Sequence, residues 1–256
     1  METIFVGPAP RLALSVAGDG ELLLFLHGIG GRRQNWDAQL AFFSRTHKAA
    51  AWDARGYGES EDYEGPLEFT VFSQDLLRVL DHFGARQAHI VGLSMGGRIA
   101  RNFALHHPDR VRTLTLANTS PGFGALTPEE VQRFVDERRH GEPEVQAKRL
   151  LGPKAPREAF DRLVASMRAL HRECYLKTVE ASVAQDLAAP IEQIRAPTLV
   201  IGSRHDQLYP LGIAEGMARR IPGARLAIIE EAGHLSNLER PQEFNRVLAE
   251  FLASDR

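Results

Sequence analysis

The sequence is short of the features that mark several classes of protein. It holds a single cysteine, Cys174, in 256 residues, so no internal disulfide framework can form and the fold must rest on an apolar core. A chain of this length buries roughly 70–75% of its unfolded surface, enough to need no covalent staple. Cys174 reads as a small residue half-buried on a helix. Long hydrophobic runs are also missing. The longest aliphatic and aromatic stretch is Leu22–Leu26, far below the roughly 20 residues that span a bilayer. Met1 to Pro8 has neither a basic start nor an apolar centre, and does not read as a signal peptide. Charge of one sign is not in excess: 31 Lys and Arg stand against 33 Asp and Glu, a net charge of −2. With both signs mixed along the chain, neither nucleic acid nor a membrane surface is an expected partner. No cysteine pair and no H-E-x-x-H spacing occurs, so no metal or cofactor is expected. The expected location is the cytoplasm.

What the chain does contain is an alternation of short apolar runs and amphipathic stretches. Strands are expected at Leu12–Val16, Leu22–Leu26, Lys48–Trp52, His89–Gly92, Val111–Leu116, Thr198–Ile201 and Leu226–Ile229. Helices are expected at Trp36–Ser44, from Phe72 to Phe83 with Gly84 as its stop, and from Arg98 to His107 before Pro108. Strands separated by helices argue for an α/β class with a mostly parallel sheet covered on both faces. From Ala125 to Pro190 the rhythm breaks into helical periodicity alone. That segment is too long for a plain connection and should carry its own structure, which divides the chain into a core over 1–124 and 191–256 and an inserted helical cap over 125–190. Its charges balance at 11 of each sign over Ala125–Ala189, so no strongly charged substrate is advertised. Gly141-Glu142-Pro143 and Gly152-Pro153 are joints that permit hinge motion.

The chemistry is concentrated in a few loops. Gly92-Leu93-Ser94-Met95-Gly96 fits G-x-S-x-G directly after a strand and before a helix, the context of a nucleophile elbow. The tight turn lifts the hydroxyl off the sheet and sets the following amide at a helix amino terminus. A serine hydroxyl needs a base, and His234 follows the last strand in Glu230-Glu231-Ala232-Gly233-His234. An imidazole base needs a carboxylate to fix its tautomer. Asp206 follows the strand at Thr198–Ile201, and its neighbour His205 is expected to be a plain loop residue. Taken alone, Asp206 before Pro210 reads as a turn residue; the order Ser94, Asp206, His234, each after a strand, favours catalysis. Two backbone amides should bind the oxyanion, that of Met95 and that of Ile29 in His27-Gly28-Ile29-Gly30-Gly31. These glycines do not make a phosphate loop, because position 33 is Arg33 and no G-x-x-x-x-G-K occurs.

With these motifs in place, the chain resembles the α/β-hydrolase superfamily over nearly its whole length outside Ala125–Pro190. The resemblance is carried by His27-Gly28, by Asp53-Ala54-Arg55-Gly56-Tyr57-Gly58-Glu59-Ser60, by the elbow at Ser94, by Asp206 and by Gly233-His234. It implies an eight-stranded sheet with one antiparallel strand, a cap inserted after the sixth strand, and scaffold rather than catalytic roles for Asp53 and Arg55. Within the superfamily, Gly92–Arg98, Pro108-Asp109-Arg110-Val111 and Leu116-Ala117-Asn118-Thr119 resemble 3-oxoadipate enol-lactonases and related esterases. Serine at position 94 separates it from dehalogenases and epoxide hydrolases, which use aspartate there. Trp36 and Trp52 both fall in the core, so the cap lacks the tryptophan expected of an enol-lactonase. The implied activity is hydrolysis of a small ester or lactone through an acyl-enzyme. Carbon–carbon bond hydrolysis of ring-cleavage products and ligand binding on the same scaffold are the alternatives. Phe123 and Phe134 are candidate pocket walls, and Arg133 and Arg138 are candidate partners for an acidic substrate.

Overall fold

The computed structural model describes residues 1–122, 126–184 and 189–254. The chain opens with β1 (Glu2–Val6), β2 (Leu12–Ala17) and β3 (Leu22–Leu26), then α1 (Asp37–Phe43), β4 (Lys48–Trp52), α2 (Val71–His82), β5 (Ala88–Leu93), α3 (Met95–His106) and β6 (Val111–Ala117). Four helices follow, α4 (Pro128–His140), α5 (Pro143–Leu150), α6 (Arg157–Arg168) and α7 (Arg172–Ala184), referred to below as the cap. The chain then returns through β7 (Thr198–Ser203), α8 (Leu211–Arg220), β8 (Arg225–Ile229), α9 (Ser236–Glu239) and α10 (Pro241–Ala253). The strands form one eight-stranded sheet in the order β1-β2-β4-β3-β5-β6-β7-β8. Only β2 runs against its neighbours; the pairs from β4 through to β8 are parallel. This is the α/β architecture expected from the sequence, with the cap inserted after the sixth strand.

The unbroken apolar character of β3 follows from its position. Leu22, Leu24 and Leu26 face one core and Leu23 and Phe25 the other, all at 4% exposure or less. Each such side chain contributes roughly 1.5–3 kcal/mol by leaving water. The first core is closed by Phe72, Leu76 and Leu80 of α2 and by Ile99 and Phe103 of α3. The second is closed by Leu40 and Phe43 of α1 and by Phe244, Leu248 and Phe251 of α10, with Trp36 among them. A sheet covered on both faces needs no alternation of polar and apolar residues.

The first strand was not expected from the sequence. Glu2–Val6 is an edge strand whose residues, apart from Val6, are largely open to solvent, so it carries no burial pattern to read. Cys174, expected to be half-buried, is instead fully buried on α7, and burial pushes its thiol up from the ordinary value. Among the described residues, no helix is long and apolar enough to cross a membrane.

Sheet order decides where loops meet. From β3 the chain moves to one side, to β4, while β5 lies on the other side of β3. At such a reversal the loops leaving the carboxyl ends diverge and open a crevice. Leu26 is paired with Gly92, so the loop after β3 and the turn after β5 emerge side by side.

Candidate active site

Ser94 stands between β5 and α3 with φ 55° and ψ −117°, a conformation that costs a non-glycine residue on the order of 1–3 kcal/mol. Close backbone crossings hold it there. A Cβ on Gly92 would strike the Gly96 carbonyl, and one on Gly96 would strike the Leu26 carbonyl. Thr119 donates from Oγ1 to the Ser94 carbonyl at 2.7 Å, adding a strap from the segment just past β6. The helix was expected to begin near Arg98, but its first residue is Met95. The difference matters, because the Met95 amide is then the first of α3 and has no acceptor within the helix.

The loop after β3 is a tight turn, closed by the Gly31 amide donating to the Gly28 carbonyl at 2.9 Å. Gly30 sits at φ 78° in the third position, where a side chain would be strained. Ile29 occupies the second position, and its amide is not used by the turn. His27 supports the loop from beneath. Its Nε2 accepts from the Ala54 amide at 3.1 Å, which leaves Nδ1 to donate to the Gly28 carbonyl at 2.8 Å. Burial holds this imidazole below its ordinary pKa, against the pull of nearby Asp53. Asp53 itself pairs with the Arg33 side chain and accepts the Arg33 amide at 2.7 Å and the Glu59 amide at 2.9 Å. Arg55 binds Asp75 through two contacts of 2.7 Å. Asp53 and Arg55 therefore brace loops of the scaffold.

Asp206 divides its two oxygens between two tasks. Oδ1 accepts the Leu208 and Tyr209 amides, each at 2.9 Å, and shapes its own turn. Oδ2 accepts His234 Nδ1 at 2.9 Å and Asn118 Nδ2 at 3.1 Å. Burial raises the Asp206 carboxyl, but His234, the Tyr209 amide and Asn118 outweigh it and leave the group below its ordinary value. An ionised acceptor at Nδ1 keeps the proton on that nitrogen and leaves Nε2 of neutral His234 with a free lone pair. His205, next in sequence, is exposed.

Ser94 and His234 line one cavity of about 770 Å³, together with Ile29, within the usual range for small-molecule sites. The cap supplies its roof, including Phe134 and Arg138 of α4, Met167 of α6 and Tyr175 of α7. Arg138 lays its guanidinium 3.4 Å from the centre of the Phe134 ring, and burial pulls its pKa down from the ordinary value. Arg133, the other arginine considered from sequence, is exposed and lines no part of this cavity; it lies roughly 140° around the helix from Arg138. Phe123 lies outside the described residues.

Two contributors escaped the sequence reading. Asn118, just past β6 at φ 44°, joins three loops: Nδ2 reaches Ser203 Oγ at 2.9 Å as well as Asp206, and Oδ1 accepts from Ser236 Oγ at 2.6 Å. An asparagine at the carboxyl end of a strand, one of the few residue types that tolerates positive φ, was the available signal. Tyr209 places its ring 5.5 Å from that of His234, and nothing in its sequence position announced it.

Residues 21–241 match the alpha/beta hydrolase fold family. The chain belongs to that family. It is 29% identical over 245 residues to a protein of Pseudomonas savastanoi named as a carbamate hydrolase, RutD, covering 91% of this chain and 94% of the other. It is 27% identical over 249 residues to 3-oxoadipate enol-lactonase 2 of Acinetobacter baylyi, covering 94% and 93%. Among solved structures, the enol-lactonase from Burkholderia xenovorans superposes with a TM-score of 0.85 at 26% identity, over 95% of this chain and 96% of that one. This α/β hydrolase is thus similar to enol-lactonase-like enzymes, as the motifs implied.

Proposed function

We propose that this α/β hydrolase is a serine esterase or lactonase that acts on a small carboxylic ester through an acyl-enzyme. The observation that carries the reading is the His234–Asp206 hydrogen bond of 2.9 Å beside a cavity that Ser94 also lines. His234 Nε2 takes the Ser94 proton as Oγ attacks the carbonyl carbon, and Asp206 steadies the imidazolium. The amides of Ile29 and Met95 hold the oxyanion; loss of one such donor costs roughly 100–1000-fold in turnover. The tetrahedral adduct collapses, and His234 returns the proton to the departing alkoxide oxygen. A water molecule then gives a proton to His234 and attacks the acyl carbon, and the acid leaves as Ser94 regains its hydrogen.

Arg138 supports a narrower reading of the substrate. A half-buried cation in the roof of the cavity suits an ester or lactone that carries a carboxylate, as 3-oxoadipate enol-lactone does. The 125–190 segment would act as the specificity cap over a core formed by 1–124 and 191–256. The carbamate-hydrolase relatives suggest a second panel of substrates, since a carbamate carbonyl meets the same nucleophile and differs in its leaving group.

Multiple-turnover hydrolysis of p-nitrophenyl butyrate by wild type and Ser94→Ala tests the mechanism. Steady wild-type turnover with a loss of at least about 10⁴-fold in the variant is expected. Equal rates in both proteins, or a single burst without turnover, would overturn it. A panel of enol-lactones, neutral esters, carbamates and diketones then ranks substrate classes.

A further inference from the structure

Glu239 takes no part in the proton transfers above, yet its carboxyl is buried to 1% exposure at the end of α9. Its partners are backbone amides. Oε2 accepts from Gly152 at 2.8 Å, both oxygens face the Gly233 amide at 3.1 Å, and Oε1 accepts from Leu235 at 3.2 Å. Gly233 and Leu235 flank His234 on either side, while Gly152 belongs to the joint between α5 and α6 in the cap. The His234 amide donates to the Leu150 carbonyl of that same joint at 2.7 Å. Burial pushes the Glu239 carboxyl up from its ordinary value, and the three amides pull against that shift.

The two backbones can meet only because glycine stands on both sides. A Cβ on Gly152 would lie 2.7 Å from the Gly233 nitrogen and 3.1 Å from Glu239 Oε2, and one on Gly233 would strike the Gly152 nitrogen. Farther out, Lys154 pairs with Glu231 at 2.8 Å and Arg240 donates to the Lys154 carbonyl at 3.1 Å. The other joint of the cap is different: a Cβ on Gly141 would meet Gln146 and Glu137, both cap residues. One of the two glycine joints is therefore fastened to the loop that carries His234, and the other packs within the cap.

We infer that Glu239 is a positioning residue that locks the His234 loop to the cap joint at 150–152, so that the seating of the cap sets the placement of the imidazole. A carboxylate offers only acceptors, which suits three converging N–H donors; an amide would turn an NH₂ toward one of them. The inference rests on His234 acting as the base.

Glu239→Gln and Gly152→Ala test it from opposite sides of the joint, with kcat and KM measured per folded protein and the Nδ1 proton of His234 followed by NMR. Each variant is expected to lose about 10–100-fold in kcat, the scale of an ångström of misplacement, with KM within about threefold. The Nδ1 resonance should shift or broaden in both. Because both act through one contact, the double variant should lose little more than the worse single one. Folded variants with wild-type kcat, losses that multiply in the double variant, or an unmoved Nδ1 resonance would overturn the inference. If Glu239→Gln does not fold, Gly152→Ala decides alone. If the wild type shows no Ser94-dependent turnover, the proposed hydrolysis fails, and the Nδ1 resonance of the folded variants still decides the positioning role.

Discussion

The floor and the roof of the cavity are held by different forces. On the floor, Ser94, Asp206, His234 and Asn118 are each at most 4% exposed and follow strands packed between two apolar layers. In the roof, α4 buries only Val135 and α5 only Ala147, and many of the charged cap side chains pair in solvent. The other two cap helices are anchored more deeply: Leu163, Val164 and Met167 of α6 pack into the second core, and Tyr175, Leu176 and Val179 of α7 into the first. Under the proposed function, the chemistry would rest on over-determined backbone, and substrate choice on a few side chains presented chiefly by the least buried helices of the cap. Mutations on the floor should therefore change turnover, and those in the roof should change affinity.

Asp206→Asn is the sharpest way to break that division. An amide at Nδ1 permits the wrong imidazole tautomer, and about a 10⁴-fold loss in kcat is expected from steady-state kinetics. The same carboxylate also carries a stability signature. Its folded pKa lies below its unfolded value, so its contribution is complete above the unfolded value near 3.9 and disappears as pH falls through the folded one. Thermal melts of wild type and variant should therefore converge at the acid end of the range, provided both still unfold cooperatively there. A gap that widens toward low pH would contradict the assigned role.

Asn118→Ala comes next. It removes the link between Asp206, Ser203 and the hydroxyl of Ser236. Leaving buried polar groups unpaired costs about 1–3 kcal/mol, to be read by urea denaturation, and kcat should drop by about tenfold with KM nearly unchanged. In the roof, Arg138→Gln should raise KM about tenfold for a p-nitrophenyl ester bearing a terminal carboxylate and leave the neutral butyrate within about threefold, as one lost charge-assisted contact implies. Arg133→Gln should alter neither; an equal effect would show that the exposed arginine, too, steers the substrate. The smallest effect belongs to the cap surface. Arg157 and Asp161 pair at 2.8 Å with side chains 82% and 55% exposed. Arg157→Ala should move Tm by no more than about 2 °C, because exposed pairs contribute little.

Particular residues show how far the sequence could be read. The expected bounds of Leu22–Leu26 and Lys48–Trp52 match the strands to the residue, since a strand buried on both faces and bounded by turn signals is a strong local pattern. The edge strand Glu2–Val6 is not legible in the sequence, because exposure leaves no pattern. The expected start of α3 near Arg98 is three residues late: Gly96 and Gly97 are poor helix formers, and only packing against Leu26 and Thr119 places them, with Met95, in the first helical turn. The sequence around Asp206 fits both a turn residue and a carboxylate for His234, and its two oxygens serve both.

The amino-acid sequence by itself determined the α/β alternation, the inserted helical segment, and Ser94, Asp206 and His234 as candidates, because each rests on local periodicity or on a residue type at a strand end. Tertiary structure alone decided that Asn118 ties three loops together, that Arg138 and not Arg133 reaches the cavity, and that Glu239 joins the His234 loop to the cap. Those facts depend on which distant backbone amides and rings arrive at one point. Spacing along a chain carries no record of that, since the free energy that selects such contacts is that of the packed whole.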